Sequence, residues 1–277
     1  MNLHRHITTS LRSLYDEGEA RAITTMLLEH CGISLVQALT DDLPLTPHMQ
    51  TLLDRLLQGE PIQYVIGYTL FAGLRINVRE GVLIPRPETE QLVKFIIGGR
   101  QTLILDIGTG SGCIALALKH ALPEAEVVGI DVSEEALSLA RENARSLHLD
   151  VTFVQLDILT DDFSSATSLQ TIISQASHVI IVSNPPYICQ EEQTQMQDNV
   201  LRYEPHTALF VPDDDPLLFY RRIAQTALHL NKNVTLWFEI NQRFGDEMQT
   251  LLTTLHYTDC RLLQDQFGND RFIKATK

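Results

Sequence analysis

"LDIGTGSGCIAL", residues 105–116, joins an apolar run to a helical pattern through a turn that contains three glycines. Gly108, Gly110 and Gly112 allow the backbone to turn tightly and to approach a ligand closely, with a helix N-terminus behind it. A dinucleotide-binding turn has the spacing G-x-G-x-x-G, whereas Cys113 stands where the third glycine of that pattern belongs. The stretch therefore predicts a strand, a ligand-binding turn and a helix.

Apolar runs and helical patterns alternate through the rest of the chain. The apolar runs are "TLILDIG", "EVVGID", "VTFVQLD", "HVIIVSN" and "VTLWFEI", and helical segments such as "SEEALSLARENARSLHL", with Ser133 as its N-cap, separate them. This pattern is typical of an α/β fold, a parallel sheet that is covered by helices on both faces. We expect an antiparallel strand pair at the sheet edge from "CRLLQDQFGNDRFIKAT", and a polar surface insertion at residues 160–178.

The first 72 residues have a different pattern. "ITTMLLEHCGI" and "HMQTLLDRLLQG" place apolar residues at helical spacing, with Gly32 and Gly59 where helix ends are expected. Residues 70–85 contain two short β-like runs around "REG", which predicts a hairpin. We therefore expect a helical N-terminal domain at 1–72, a β-hairpin linker at 73–85 and an α/β domain at 86–277.

Composition and charge argue against several classes of protein. The four cysteines among the 277 residues form no C-x-x-C pair, and the ten histidines show no ligand spacing, so we expect a reducing cytoplasm and no metal. No apolar stretch approaches the roughly 20 residues of a membrane span, and the N-terminus lacks the apolar core of a secretory signal. A net charge of −14 without a basic run argues against direct nucleic-acid binding.

Carboxylates follow three successive strands at the edge where open α/β sheets bind ligands. Asp106 directly precedes the glycine turn, an unfavourable position beside a pyrophosphate but a suitable one beside an ammonium group. S-adenosylmethionine carries an ammonium group and a sulfonium, so we predict that it binds to the turn, Gly108, Thr109, Gly110, Ser111 and Gly112. Asp131 is placed to accept its ribose hydroxyls, and Asp157 with Ile158 to contact its adenine. An NAD(P) site and a purely structural turn are the alternatives.

"SNPPYI", residues 183–188, ends the fourth strand with an amide and two prolines. The Asn184 side-chain oxygen and the Pro185 carbonyl could accept both N–H bonds of a planar NH₂ group and direct its lone pair at the methyl group. The prolines stiffen this segment, and Pro186 and Tyr187 complete the wall of a substrate site. We predict Asn184 and Pro185 as catalytic residues and place Asn184 with the cofactor-binding residues as well. A strand-ending turn is the alternative.

Together with this motif, several blocks closely resemble the release factor glutamine methyltransferases (the PrmC/HemK type). These blocks are "PIQYVIGYTLFAGL" (61–74), "VLIPRPETE" (82–90) and "YEPHTALF" (203–210). The resemblance implies a seven-stranded Rossmann-like class I methyltransferase domain and a helical substrate-recognition domain joined to it by a hairpin. It also implies methylation of the glutamine N5 in the Gly-Gly-Gln motif of class 1 peptide-chain release factors. We expect a monomer.

The chain departs from the family pattern beside the expected site. "VPDDDPLLFY" (211–220) replaces a glycine-rich run, Asn241 stands where glycine is usual, the first strand ends in Ile107, and residues 160–178 lengthen a connection. Two other functions stay open. One is an N-methyltransferase acting on adenine or guanine of a nucleic acid, and the other is a binding protein that has lost catalysis.

Overall fold

The computed structural model describes residues 2–97 and 103–277. The chain divides into two compact units. One comprises Met1–Tyr68, Val78–Glu80 and Met196–Glu204. The other comprises Thr69–Asn77, Gly81–Gln195 and Pro205–Lys277.

Helices and strands follow one another along the described residues. The helices are α1 (Leu3–Leu11), α2 (Glu17–His30), α3 (Leu35–Thr40), α4 (Pro47–Leu57), α5 (Ile62–Ile66), α6 (Thr89–Ile97), α7 (Cys113–Ala121), α8 (Glu134–Leu147), α9 (Thr167–Gln175), α10 (Asp198–Tyr203), α11 (His206–Leu209), α12 (Leu218–Leu228) and α13 (Gly245–Thr254). The strands are β1 (Tyr68–Phe71), β2 (Leu74–Asn77), β3 (Leu103–Ile107), β4 (Glu126–Asp131), β5 (Thr152–Gln155), β6 (His178–Ser183), β7 (Ile188–Cys189), β8 (Phe210–Val211), β9 (Asn233–Glu239), β10 (Thr258–Gln264) and β11 (Asp270–Thr276).

The first unit is helical and has its own apolar core. Buried side chains of α1, α2, α4 and α5 recur at three- and four-residue spacing and pack together. The first four helices begin at N-caps whose side chains accept a backbone hydrogen bond: Asn2, Asp16, Ser34 and Thr46. Gly32 and Gly59 follow the ends of α2 and α4 with φ of 75° and 84°. The predicted helices are therefore present through Ile66, and the division into domains stays a prediction.

The hairpin is present, but its predicted position is wrong. Strands β1 and β2 pair with each other, and the chain turns at Ala72 and Gly73 rather than around Glu80. Ala72 and Gly73 have φ of 49° and 80°. A two-residue turn with two positive φ angles matches the twist of paired strands, so this turn sets the hairpin. Residues 78–85 contain no strand.

The second unit is built on a seven-stranded sheet with the order β10-β11-β9-β6-β3-β4-β5. Strands β5, β4, β3, β6 and β9 are parallel to one another, and β11 and β10 continue the sheet in antiparallel pairing. The chain fills the β4 and β5 side of β3 first and then crosses to β6 on the other side. The carboxyl ends of β3 and β6 therefore border the topological switch point, where ligands bind in such sheets.

The segment at 160–178 is not a simple surface insertion. It contains helix α9, and Phe163, Leu169 and Ile173 are buried in the core of the sheet domain. The segment has few apolar residues, but these three lie at positions where the helix and its approach face the sheet. The prediction was wrong because overall polarity hid this narrow apolar face.

Candidate active site

Strand pairing places three chain segments side by side at the carboxyl edge of the sheet. Ser183 of β6 pairs with Ile107 of β3 on one side and with Phe238 of β9 on the other. The Ser183 hydroxyl also donates a hydrogen bond of 2.6 Å to the Ile107 carbonyl. The residues that follow these three strand positions are Gly108, Asn184 and Glu239. The glycine turn after β3 and the Asn184 segment after β6, both predicted site segments, are thus neighbours. The end of β9, with Glu239, lies on the other side of the Asn184 segment.

The glycine turn after β3 has the expected backbone. Gly108, Gly110 and Gly112 have φ of 71°, 55° and 82°, a region that L residues with a side chain adopt only at a cost. The N–H groups of Gly108 and Thr109 donate to the carbonyl of Ile130 at 2.8 and 2.9 Å. These bonds attach the turn to β4, and α7 begins directly after it.

Asp106 lies beneath this turn and is fully buried. Its Oδ2 accepts hydrogen bonds from the Thr109 hydroxyl at 2.7 Å and from the Ala115 N–H at 3.1 Å. Its Oδ1 is buried and has no hydrogen-bond partner in the structure, and the same holds for the hydroxyl of Ser111. Burial raises the pKa of Asp106 to about 7, against the opposing effect of its hydrogen bonds. A cation beside Oδ1 would satisfy this oxygen and favour its charged form.

Asp131 closes the other side of the turn. Its Oδ2 accepts from the Gly110 N–H at 2.8 Å, and its Oδ1 accepts from the Ser133 N–H at 3.0 Å. Burial raises its pKa, and these backbone hydrogen bonds lower it. A carboxylate has about four acceptor positions, so these bonds leave room for another donor. The next residue, Val132, is 58% exposed, which provides an apolar surface beside the carboxylate that the sequence analysis did not identify.

Asp157 and Ile158 lie beyond the end of β5, in a turn. Asp157 Oδ1 accepts from the Leu159 N–H at 2.9 Å, so part of its acceptor capacity serves the turn itself. Ile158 is buried, and its carbonyl accepts from Nε of Arg222 at 2.9 Å. The structure therefore gives Asp157 a local hydrogen bond, and the adenine contact of both residues stays a prediction.

Asn184 is anchored from behind by two residues that the sequence analysis missed. Its Nδ2 donates to the Thr89 hydroxyl at 3.2 Å. Thr89 in turn donates to Oε2 of Glu239 at 2.7 Å, and the Tyr187 hydroxyl donates to Oε1 of the same carboxylate at 3.3 Å. A signal for Glu239 was available in the sequence, because it ends the apolar run "VTLWFEI" at the same edge as the other strand-end carboxylates.

Several charges surround Glu239. Burial raises the pKa of Glu239 to about 7, and its hydrogen bonds and the nearby Arg271 guanidinium lower it, while Glu88 raises it. Cys113, at the start of α7, has its pKa raised to about 12 by burial and by the charges of Asp106 and Glu239. Its thiol is therefore protonated, and neutral, at neutral pH.

Asn241, where the family usually has glycine, supports the Asn184 segment. Its Nδ2 donates to the Tyr187 carbonyl at 3.2 Å and to Oε1 of Glu192 at 3.0 Å. Arg243 lies 3.5 Å from the same Glu192 carboxylate. This departure adds a side-chain bridge that holds the backbone after the two prolines.

The altered run at 211–220 also contacts the segment after Tyr187. Strand β8 pairs in parallel with β7, and the Glu191 N–H donates to Oδ1 of Asp213 at 3.2 Å. Asp215 forms an ion pair with Arg221 of α12, with a shortest distance of 2.6 Å. Two of the three aspartates in this acidic run, Asp213 and Asp215, therefore have defined partners.

The described residues, 2–97 and 103–277, lack the features of two other site types. They contain no group of three or more histidine, cysteine or acidic side chains that could hold a metal ion. Within the same residues, every helix is too short or too polar to cross a bilayer.

Comparison with known proteins agrees with this geometry. Residues 104–192 match the family model described as a methyltransferase domain. The delta-N METTL16 MTase domain, a solved structure, matches 74% of this chain and 89% of its own with a TM-score of 0.52 and 18% identity, which supports the fold alone. The predicted Rossmann-like methyltransferase fold is confirmed.

Closer relatives extend over the whole chain. The release factor glutamine methyltransferase of Bacteroides thetaiotaomicron is 42% identical over 98% of both chains. That of Flavobacterium psychrophilum is 41% identical over 99% of this chain and 98% of its own. At this identity and coverage, the chain belongs to the release factor glutamine methyltransferase family.

Proposed function

We propose that this protein transfers a methyl group from S-adenosyl-L-methionine to N5 of the glutamine in the Gly-Gly-Gln motif of class 1 peptide-chain release factors. The observation that carries the proposal is the 42% identity, over 98% of both chains, to a protein named for that activity. These relatives do not favour the alternative, methylation of adenine or guanine in a nucleic acid. The net charge of −14 also argues against it.

The cofactor we assign is S-adenosylmethionine, which supplies an electrophilic methyl group on a sulfonium. Asp106 suits its ammonium group, because Oδ1 is buried without a partner. Asp131 keeps acceptor capacity for the ribose hydroxyls. We assign the adenine to Val132, Asp157 and Ile158, and the rest of the cofactor contact to the backbone of the turn from Gly108 to Gly112.

We assign the reacting glutamine amide to Asn184 and Pro185. The Asn184 oxygen and the Pro185 carbonyl accept the two N–H bonds, so that the lone pair of the nitrogen faces the cofactor side. Pro186 and the Tyr187 ring flank the planar amide. The nitrogen becomes more acidic as it gains the methyl group, so its proton can pass to water without a strong base.

The N-terminal helices, within the predicted domain at 1–72, are assigned to substrate recognition, and the catalytic domain is assigned to 86–277. Release factors work inside ribosomal RNA, so a basic substrate surface fits an acidic enzyme that attracts it over a distance. We place the protein in the cytoplasm as a monomer.

Methyl transfer from labelled S-adenosylmethionine tests the proposal. The enzyme is incubated with a class 1 release factor, with the same factor carrying a Gln→Ala change in Gly-Gly-Gln, and with bare rRNA or DNA. We expect label in the first reaction alone, and its loss with the Asn184→Ala enzyme. Equal labelling of the two release factors would contradict the assignment, and labelling of nucleic acid would support the alternative.

A further inference from the structure

The side chains behind Asn184 form a hydrogen-bonded chain with a defined direction. In its ionised form the Glu239 carboxylate can only accept, and it accepts from Thr89 at 2.7 Å and from Tyr187 at 3.3 Å. Thr89 has one hydroxyl proton, and this bond uses it. Only the lone pairs of Thr89 then face Asn184, so Asn184 must present its NH₂ group, at 3.2 Å. The Glu239 carboxylate therefore determines that the NH₂ end of the Asn184 amide, and not its oxygen, faces Thr89.

This direction matters because the two ends of an amide have opposite hydrogen-bonding roles. With Nδ2 bound to Thr89, Oδ1 of Asn184 is turned away from Thr89 as an acceptor. If the amide rotated by half a turn, Nδ2 would take the place of Oδ1. A substrate NH₂ group would then face another donor and lose one of the two acceptors that orient it.

We propose that Glu239, acting through Thr89, is a positioning residue that keeps the Asn184 oxygen directed at the substrate amide. The inference deepens the proposed function and rests on the role assigned there to Asn184. Glu239 and Thr89 act through Asn184 and contact neither the reacting nitrogen nor the methyl group. Tyr187 binds the second oxygen of Glu239, so one carboxylate holds both ends of the Asn184–Tyr187 segment.

The surroundings of Glu239 suit this role. It is buried, and its pKa of about 7 leaves it mostly ionised in mildly alkaline solution. Arg271 stabilises the negative charge, Glu88 opposes it, and the neutral Cys113 lies close by. Tyr220 adds a backbone anchor, since its hydroxyl donates to the Glu239 carbonyl at 3.0 Å. Contacts from several elements thus fix the position of Glu239, which a residue that orients the hydrogen-bonded chain needs.

Three variants distinguish an effect of hydrogen-bond direction in the Glu239–Thr89–Asn184 chain from an effect of side-chain packing. Thr89→Val keeps the shape of the side chain but removes the hydroxyl, and Thr89→Ser keeps the hydroxyl. Glu239→Met removes both acceptors at similar volume, whereas glutamine would keep one oxygen that Thr89 could still use. Thr226→Val serves as a matched control, because Thr226 is a buried threonine of the same unit on α12.

The kinetic measurements are kcat and KM for a release factor at about pH 8, with the Kd for S-adenosylmethionine measured separately. We expect Thr89→Val and Glu239→Met to lower kcat by about 10- to 100-fold, the scale of a misplaced catalytic group. The cofactor Kd should change by less than about threefold, and Thr89→Ser and Thr226→Val should retain most of the activity. Wild-type kcat in Thr89→Val, or equal losses in Thr89→Val and Thr89→Ser, would overturn the inference.

A second measurement does not depend on the proposed function. The side-chain NH₂ signal of Asn184 in a ¹⁵N–¹H spectrum is identified by its absence in Asn184→Ala, and its exchange with water is compared among variants. We expect slow exchange in the wild type and in Thr89→Ser, and fast exchange in Thr89→Val and Glu239→Met. Unchanged exchange in both of the last two refutes the inference. A wild-type enzyme that fails to methylate release factors would refute the proposed function alone.

Discussion

Replacing Asp106 with asparagine should weaken cofactor binding and remove part of its pH dependence. The Asp106 carboxyl is fully buried, with Oδ1 lacking a partner, and its pKa is raised to about 7 mainly by burial. If Oδ1 holds the cofactor ammonium as proposed, binding requires the charged carboxylate. Below neutral pH the carboxyl must then lose a proton before the cofactor binds tightly.

The size of the effect follows from the pKa. With a pKa of about 7, the carboxyl is about half ionised at pH 7 and about one-eleventh ionised at pH 6. Because the apparent affinity scales with the competent fraction, the cofactor should bind about fivefold more weakly at pH 6 than at pH 7. Asp106→Asn also loses a charge-assisted hydrogen bond of about 1.5–3 kcal/mol, which weakens binding about 10- to 100-fold at pH 7.

Isothermal titration calorimetry of both proteins with S-adenosylmethionine, between about pH 6 and pH 7, measures these effects. Burial also raises the pKa of Asp131, and the amino group of the cofactor titrates as well. Both groups are present in the two experiments, so the difference between wild type and Asp106→Asn reports the effect of removing the Asp106 carboxyl group. An equal dependence on pH in both proteins, or an unchanged affinity in the variant, would refute the role given to this carboxylate.

Three further substitutions test separate parts of the structure. Asn184→Ala should lower kcat by about 100-fold or more with little change in cofactor Kd, because its contact is with the reacting amide; a parallel loss of affinity in calorimetry contradicts this. Asp131→Ala should do the reverse and weaken cofactor binding about 10- to 100-fold, since it removes hydrogen bonds to the ribose; an unchanged Kd would exclude that contact. Gly129→Ala should destabilise the protein by about 1–3 kcal/mol, seen as a lower Tm, because a Cβ atom there lies 2.6 Å from Phe153 and 2.8 Å from the Thr109 hydroxyl. A wild-type Tm in Gly129→Ala would show that the strand yields without cost.

The sequence by itself was sufficient to predict the parallel sheet and the segments that border its topological switch point. Buried parallel strands are nearly continuous apolar runs, and such runs end where the chain meets the ligand edge, so both features are local. Glycines at positive φ and a proline pair after a strand are local signals as well. For this reason the glycine turn, Asp131 and Asn184 could all be placed at this edge of the sheet before the fold was known, and their roles in binding and catalysis stay predictions.

Only the tertiary structure decided how these residues are held. The Thr89–Glu239 hydrogen bond joins residues 150 positions apart in the chain. The β6–β9 register places Asn184 beside Glu239, and helix α6, which packs against β9, brings Thr89 to the same carboxylate. The partnerless oxygen of Asp106 is likewise a property of the packed core, since burial and hydrogen bonding exist only after the strands assemble. Sequence patterns report which atoms are available, whereas the direction of each hydrogen bond depends on contacts between distant segments.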